Sequence, residues 1–125
     1  MDRLHILIVD PERDVCELFA RVLEASNRCK CYLAMKEDEA GALIGDIPFD
    51  LVFLDVGIVA AGGFHLIRKI RRLQPNAHIV VDAYLHQRED VKAAIEHGAQ
   101  SFILKPINVR QFRERMQSIL GASAL

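Results

Sequence analysis

The sequence predicts an α/β domain in which helices cover both faces of a five-stranded parallel sheet. Short apolar runs bounded by turn residues recur along the chain, as expected for strands buried on both faces. Each run is followed by a segment whose apolar residues recur at helical spacing. Because the connections are short and crossovers between parallel strands are right-handed, the alternation predicts a doubly wound sheet.

Five strand and helix units follow one another along the chain. The strands are predicted at His5–Val9, Cys29–Ala34, Leu51–Leu54, His78–Val81 and Ser101–Leu104. The helices are predicted to begin near Glu12, Lys36, Phe64, Glu89 and Val109. Local signals agree with these starts, since Pro11 suits a first helical turn, acidic residues after Lys36 suit the positive end of a helix, and Asn108 is a suitable N-cap.

Composition limits the classes of function. A chain of 125 residues with 51% apolar residues predicts one domain, residues 1–125. The 16 basic residues nearly balance the 17 acidic ones, so the net charge of −1 predicts no general attraction to nucleic acid or to an anionic membrane. There is no uninterrupted apolar stretch of about 18 residues, the length that a membrane span needs. We expect a cytoplasmic protein.

The cysteines and histidines point to packing rather than to metal binding. Cys16, Cys29 and Cys31 are odd in number, which argues against a disulfide framework. The five histidines are dispersed along the chain, which argues against a metal set.

Three charged residues come at the carboxyl ends of predicted strands. Asp10 follows the first strand, Asp55 the third and Lys105 the fifth. Open α/β sheets bind ligands at this edge, so we expect the three side chains to converge on one crevice. Two adjacent carboxylates repel each other, and the repulsion is relieved by protonation of one of them, by a magnesium ion or by the Lys105 ammonium. Lys105 also suits the oxygens of a phosphoryl group.

These residues stand in a recognisable framework. The strand HILIVD ends at Asp10, the strand FDLVFLD ends at Asp55 and is followed eight residues later by Gly63, and FILKP contains Lys105 and Pro106. In combination the motifs resemble the receiver domain of two-component response regulators over nearly the whole chain. The resemblance implies a flavodoxin-like fold with five helices and strand order 2-1-3-4-5. Pro106 matches a proline that often follows a cis peptide bond.

The resemblance also implies the roles of individual residues. Asp55 would be the phosphoryl acceptor and Lys105 the partner of the phosphoryl oxygens. Asp10, Asp55 and the backbone carbonyl of Gly57 would bind Mg²⁺. Phe102 matches an aromatic side chain that moves between inward and outward positions, although on the residue type alone we favour packing in the core.

The chain departs from the family pattern at two positions facing the acceptor. Receivers usually carry two adjacent acids after the first strand, and here the second position is Pro11. Glu12, the next residue, has a longer reach and is a candidate substitute as a metal ligand, although an acidic residue in the first turn of the helix is the simpler interpretation. A Ser or Thr usually ends the fourth strand and relays phosphorylation. Counting back 22 residues from Lys105 gives Ala83 as this switch position, and a shift of one residue gives Asp82, so neither register supplies a hydroxyl.

The third departure follows Asp55. The family usually has Met-Pro-Gly-x-Asp-Gly here, whereas Val59 replaces the proline and Gly62 replaces the aspartate. We expect a loosened loop containing Gly57, Gly62 and Gly63.

Two functions follow. The first is a receiver that takes a phosphoryl group on Asp55 from a histidine kinase or phosphotransfer protein and signals to a downstream protein target. The alternative is a degenerate receiver that acts as a phosphorylation-independent interaction or dimerisation module. Either would use the face formed by the helix from Glu89, the strand Ser101–Leu104 and the helix from Val109, through which two copies can pair. The sequence argues against a nucleotide or flavin binder, because no Gly-rich or Ser/Thr-rich phosphate loop follows the first strand. It also argues against a hydrolase, because no nucleophile, base and orienting group occur together. We expect no enzyme.

Overall fold

The computed structural model describes residues 3–121, so the first two and last four residues of the predicted domain lie outside the described range. Strands and helices alternate as expected, with one additional short helix and a 3₁₀ turn. The strands are β1 (Leu4–Val9), β2 (Cys29–Ala34), β3 (Leu51–Asp55), β4 (His78–Ala83) and β5 (Ser101–Leu104). The helices are α1 (Arg13–Glu24), α2 (Glu37–Asp46), α3 (Val56–Ala61), α4 (His65–Leu73), α5 (Arg88–Glu96) and α6 (Val109–Leu120), with the 3₁₀ turn at Leu85–Gln87.

The five strands form one parallel sheet in the order β2-β1-β3-β4-β5. This confirms the predicted fold class and strand order. β3 lies at the centre, and all five of its residues are buried. In the register between β3 and β4, Asp55 lies directly beside Asp82. The central strand therefore carries its terminal carboxylate to the middle of one edge of the sheet.

The sheet separates two apolar layers. One face packs against α2, α3, α4 and α5, and the other face packs against α1 and α6. Since side chains alternate along a strand, every second residue belongs to the same layer. Ile8, Phe53, Val80 and Ile103 all face α1 and α6, whereas Ala83 belongs to the opposite layer.

The segment after Asp55 differs from the loop that we expected. Residues 56–61 form the helix α3, and the Asp55 side chain caps it by accepting a hydrogen bond from the Ile58 N–H at 3.0 Å. Val56 and Val59 are completely buried against the sheet. The departures that remove the family's proline and aspartate thus leave a segment with an N-cap, two buried valines and two alanines. These features favour a helix over a loose loop.

Two further expectations need correction. β4 continues through Asp82 to Ala83, two residues beyond the predicted end, because pairing with β3 and β5 extends that far. Phe102 does not pack in the core: it is 44% exposed, since β5 is an edge strand and Phe102 occupies one of its outward positions.

Other sequence expectations agree with the structure. Asn108 caps α6 by accepting a hydrogen bond from the Gln111 N–H at 3.0 Å. Cys16, Cys29 and Cys31 form no disulfide with one another, and Cys16 and Cys29 are buried. Within residues 3–121, none of the helices combines the length and the apolar character needed to cross a lipid bilayer.

Candidate functional site

Four charged side chains meet at the carboxyl edge of the sheet. Asp10 follows β1, Asp55 ends β3, Asp82 lies one residue before the end of β4, and Lys105 follows β5. Each is two residues after a strand residue that packs against α1 and α6, so the alternation of side chains places all four on that face of the sheet. The three aspartates and Lys105 are all at most 8% exposed. The structure therefore brings together the three residues singled out from the sequence, and adds Asp82.

The Lys105 ammonium lies among the three carboxylates. Its Nζ is 2.7 Å from an Asp10 oxygen, 3.0 Å from an Asp55 oxygen and 3.2 Å from an Asp82 oxygen. The contacts with Asp10 and Asp55 are hydrogen bonds, whereas the contact with Asp82 is an ion pair without hydrogen-bond geometry. One ammonium thus serves three carboxylates, so the ionised cluster carries excess negative charge.

Burial and charge act in opposite directions on the pKa of Lys105. Burial alone would lower it, but Asp82, Asp10 and Asp55 together raise it above its ordinary value. Burial is also the main reason that the pKa of Asp82 rises to about 7. The Lys105 ammonium opposes this rise, while the neighbouring Asp10 and Asp55 carboxylates add to it. Burial therefore makes the Asp82 carboxyl harder to ionise than an aspartate in water.

Asp10 and Asp55 each make a second contact that fixes their orientation. Asp10 Oδ1 accepts a hydrogen bond from the Glu12 N–H at 2.9 Å, just before α1 begins. Asp55 Oδ2 accepts the α3 hydrogen bond, which leaves Oδ1 for Lys105. By contrast, neither oxygen of Asp82 has a hydrogen-bond partner. Two carboxylates are held by backbone amides, and the third depends on the ammonium alone.

The remaining predicted site residues lie outside this cluster. Glu12 is exposed in the connection before α1. Ala83 is completely buried in the opposite apolar layer, so Asp82 is the β4 residue whose side chain contacts the Lys105 ammonium. Phe102 is exposed on β5, and the Lys105–Pro106 peptide bond is cis.

Strand alternation could have identified Asp82 from the sequence. Asp82 is two residues after Val80 and has the same parity, whereas Ala83 follows Val81 on the other face. An ungapped count from Lys105 ignores this constraint and selects Ala83.

The match to a family model decides the classification. The model described as "Response regulator receiver domain" matches residues 6–117, which is most of the chain. The chain belongs to the response regulator receiver domain family. Its sheet order agrees with this membership. So does the cluster of Asp10, Asp55 and Asp82 around Lys105 at the carboxyl edge of the sheet, which we call the acidic edge.

Individual receivers and response regulators are similar over nearly the whole domain. The phosphate regulon transcriptional regulatory protein PhoB of Pseudomonas aeruginosa is 30% identical over 92% of this chain, which spans 51% of PhoB. A two-component response regulator from Clostridium difficile superposes with a TM-score of 0.84 at 27% identity, covering 94% of this chain and 96% of that one. A response regulator from Burkholderia pseudomallei, solved with a phosphorylated aspartic acid, calcium ion and citrate, has a TM-score of 0.75 at 25% identity, covering 97% and 69% of the two chains.

The acidic edge of this receiver fits a small cation that prefers oxygen ligands. Oxygens of Asp10, Asp55 and Asp82 lie within 4.8 Å of one another, and the two Asp82 oxygens have no hydrogen-bond partner. Mg²⁺ is held in proteins by one or two carboxylates together with water and phosphate oxygens. The donor set is therefore suitable. Gly57 lies in the first turn of α3. A carbonyl in a helix points toward the C-terminal end, so the Gly57 carbonyl points away from Asp55, which caps the N-terminal end.

Proposed function

We propose that this receiver accepts a phosphoryl group on Asp55 from a histidine kinase or phosphotransfer protein, and that it then signals through protein contacts in the cytoplasm. The observation that carries the proposal is the contact between Asp55 Oδ1 and Lys105 Nζ at 3.0 Å, at the carboxyl end of the central strand. The phosphorylated aspartic acid of the similar Burkholderia pseudomallei regulator supports the same chemistry here.

The buried carboxylate of Asp55 acts as the nucleophile. One of its oxygens attacks the phosphorus, the bond from phosphorus to the donor breaks, and the donor leaves with the electron pair. Lys105 offers positive charge to the phosphoryl oxygens, and its hydrogen bond to Asp10 holds the ammonium in position. Because these side chains are buried, the electrostatic interactions are stronger than they would be in water.

Asp10 and Asp55 would hold the magnesium ion, with the Gly57 carbonyl as a third ligand once the first turn of α3 opens. When bound, Mg²⁺ supplies positive charge that offsets the charge of the phosphoryl oxygens. Glu12 would be the fourth ligand. Its exposed position leaves the side chain free to turn, but it would have to reach the buried Asp10 from outside the cluster.

The output surface that we propose is the face formed by α5, β5 and α6. Four large apolar side chains are between 44% and 65% exposed on its α5 and β5 side: Leu85, Ile95, Phe102 and Leu104. Exposed apolar patches of this kind mark sites of protein contact. Phe102 would be the aromatic residue that responds to phosphorylation, and Ala83 would contribute no hydroxyl to the relay. A second copy or a downstream target would bind at this face.

Labelling with a small phosphodonor tests the acceptor. The protein is incubated with acetyl phosphate and millimolar Mg²⁺, and intact mass followed by peptide mapping locates the modification. We expect one added phosphoryl group on the peptide containing Asp55, and none in Asp55→Asn. A folded protein that neither gains the group nor binds beryllofluoride would contradict the proposal. It would leave the phosphorylation-independent interaction module as the function.

The metal ligands are tested in the same reaction by titrating Mg²⁺. Asp10→Asn is expected to raise the Mg²⁺ concentration needed for half-maximal labelling. Asp14→Asn, at an exposed position in the first turn of α1, is the matched acid-to-amide control and should leave labelling unchanged. Glu12→Gln tests the proposed fourth ligand: an effect equal to that of Asp10→Asn would support Glu12 as a ligand, and no effect of Asp10→Asn would remove Asp10 from the metal site.

A further inference from the structure

Asp82 differs from the other two carboxylates in the acidic edge. It is completely buried, neither of its oxygens has a hydrogen-bond partner, and Lys105 at 3.2 Å is the one cation paired with it among the described residues. Its position beside Asp55 in the β3 and β4 register places the two carboxylates on adjacent strands. Whatever binds at Asp55 therefore meets Asp82 at close range.

A phosphoryl group on Asp55 needs the same ammonium that Asp82 uses. Lys105 is already divided among three carboxylates, and the phosphoryl oxygens would add a fourth anionic partner. Like charges brought together in a buried site repel strongly, because little water is present to screen them. A neutral side chain at position 82 would remove both the competition for Lys105 and the repulsion.

We propose that Asp82 limits phosphoryl acceptance at Asp55 by competing for the Lys105 ammonium and by repelling the incoming phosphoryl group. This inference rests on the proposed phosphoryl transfer and adds to it the residue that sets its rate. In this chain the acceptor and its lysine are present, but the lysine is held by an internal anion. A strong donor or a bound partner that draws Asp82 away from Lys105 would then be needed for rapid transfer.

The reaction used for the test is phosphoryl transfer from acetyl phosphate. An Asp55 carboxylate oxygen forms a bond to phosphorus, the bond between phosphorus and the bridging oxygen breaks, and acetate leaves with the electron pair. No oxidation or reduction occurs. The observed quantity is the rate at which the aspartyl phosphate forms at about pH 8.5 and at fixed concentrations of acetyl phosphate and Mg²⁺, because the Asp82 carboxyl, whose pKa burial raises to about 7, is ionised at that pH.

Two neutral substitutions separate charge from shape. Asp82→Asn keeps the size of the side chain, while Asp82→Thr changes it and introduces a hydroxyl. Asp46→Asn is the matched control, since it removes one negative charge from an exposed position at the end of α2. Thermal unfolding of each variant verifies that it is folded, and Asp55→Asn in each background identifies labelling at the acceptor.

We expect both Asp82 variants to be labelled about tenfold faster than the wild type or more, with Asp46→Asn unchanged. Faster labelling of both neutral variants is a result that loss of packing alone would not produce. If the wild type is labelled and Asp82→Asn is labelled equally fast or more slowly, the inference is wrong and the proposed function stands. A slower rate that is recovered by more Mg²⁺ would instead identify Asp82 as a cation ligand. If no variant is labelled, the proposed function and the inference both fail.

Discussion

Lys105 brings one ammonium group to three buried carboxylates, and this makes it the residue on which the stability of the acidic edge depends. Its side chain is 3% exposed, and its Nζ lies within 3.2 Å of Asp10, Asp55 and Asp82. Removing one partner of a buried ion pair is costly because the charge left behind is neither solvated nor paired. The lysine is therefore a structural counter-ion as well as a proposed partner of the phosphoryl group.

Lys105→Met tests this structural role. The substitution keeps an unbranched side chain that is one heavy atom shorter and removes the charge, so the free energy of unfolding should fall by about 3 to 5 kcal/mol in urea titrations followed by circular dichroism. Adding Asp82→Asn to Lys105→Met should recover part of the loss, because one unpaired carboxylate is then absent. Lys92→Met on the exposed side of α5 is the control and should have little effect. Equal stability of Lys105→Met and the wild type would contradict the counter-ion role.

The sequence is informative about single residues where their position on a strand is fixed. Asp10, Asp55 and Lys105 could be predicted to converge because each follows a buried run at the same edge of a parallel sheet. An ungapped count from Lys105 does not select Asp82, because it takes no account of which face of β4 a residue occupies. Parity along β4 selects Asp82, but only once the strand is known to continue that far.

At the scale of elements, the prediction from the sequence was wrong where tertiary contacts override local signals. The segment after Asp55 has three glycines nearby, which favours a loop, yet Val56 and Val59 are buried and Asp55 caps the turn. These contacts with the sheet stabilise α3, and they are not visible in the composition of the segment. The five longer helices were predictable because their apolar residues recur over two or more turns.

On β5, the expectation that Phe102 packs in the core was also wrong because of tertiary structure. Its outward positions hold Phe102 and Leu104, which are 44% and 48% exposed, while Ser101 and Ile103 are less exposed. An apolar residue in a short strand is expected in the core, and the exposure follows only from the place of β5 at the edge of the sheet. The pattern of alternate exposed apolar residues supports a contact surface on this strand.

A pair of substitutions on β5 tests that surface. Leu104→Ser removes an outward side chain that is already half exposed, so it should cost about 1 kcal/mol of stability or less. Ile103→Ser affects the neighbouring side chain, which packs against the layer formed by α1 and α6, and should cost more. In sedimentation velocity runs at increasing concentration of phosphorylated protein, we expect Leu104→Ser to weaken association between copies. Ile103→Ser should leave the association between copies unchanged under conditions in which this variant remains folded.

Two outcomes would contradict this proposal. A wild-type protein that stays monomeric over the whole concentration range would exclude the homodimer and leave a different protein as the partner of this face. Unchanged association of Leu104→Ser would move the contact away from β5.

At the scale of the whole molecule, the acidic edge links the stability of the fold to pH. The pKa of Asp82 rises from an ordinary value of 3.8 to about 7, mainly because the carboxyl is buried. Between these two values the folded protein holds a proton that the unfolded chain has released. Raising the pH through this interval therefore favours the unfolded chain, so the contribution of Asp82 to stability becomes less favourable from about pH 4 to about pH 7.

The difference in unfolding free energy between the wild type and Asp82→Asn isolates this contribution, measured by urea titration in magnesium-free buffer. We expect the wild type to lose stability relative to Asp82→Asn as the pH rises from 4 to 7, with a slope approaching about 1.4 kcal/mol per pH unit. Lys105 does not produce this slope, because its raised pKa keeps the ammonium protonated throughout the interval. Parallel pH profiles of the two proteins would mean that Asp82 ionises as easily in the fold as in the unfolded chain. The Lys105 ammonium would then offset the cost of burying a third carboxylate.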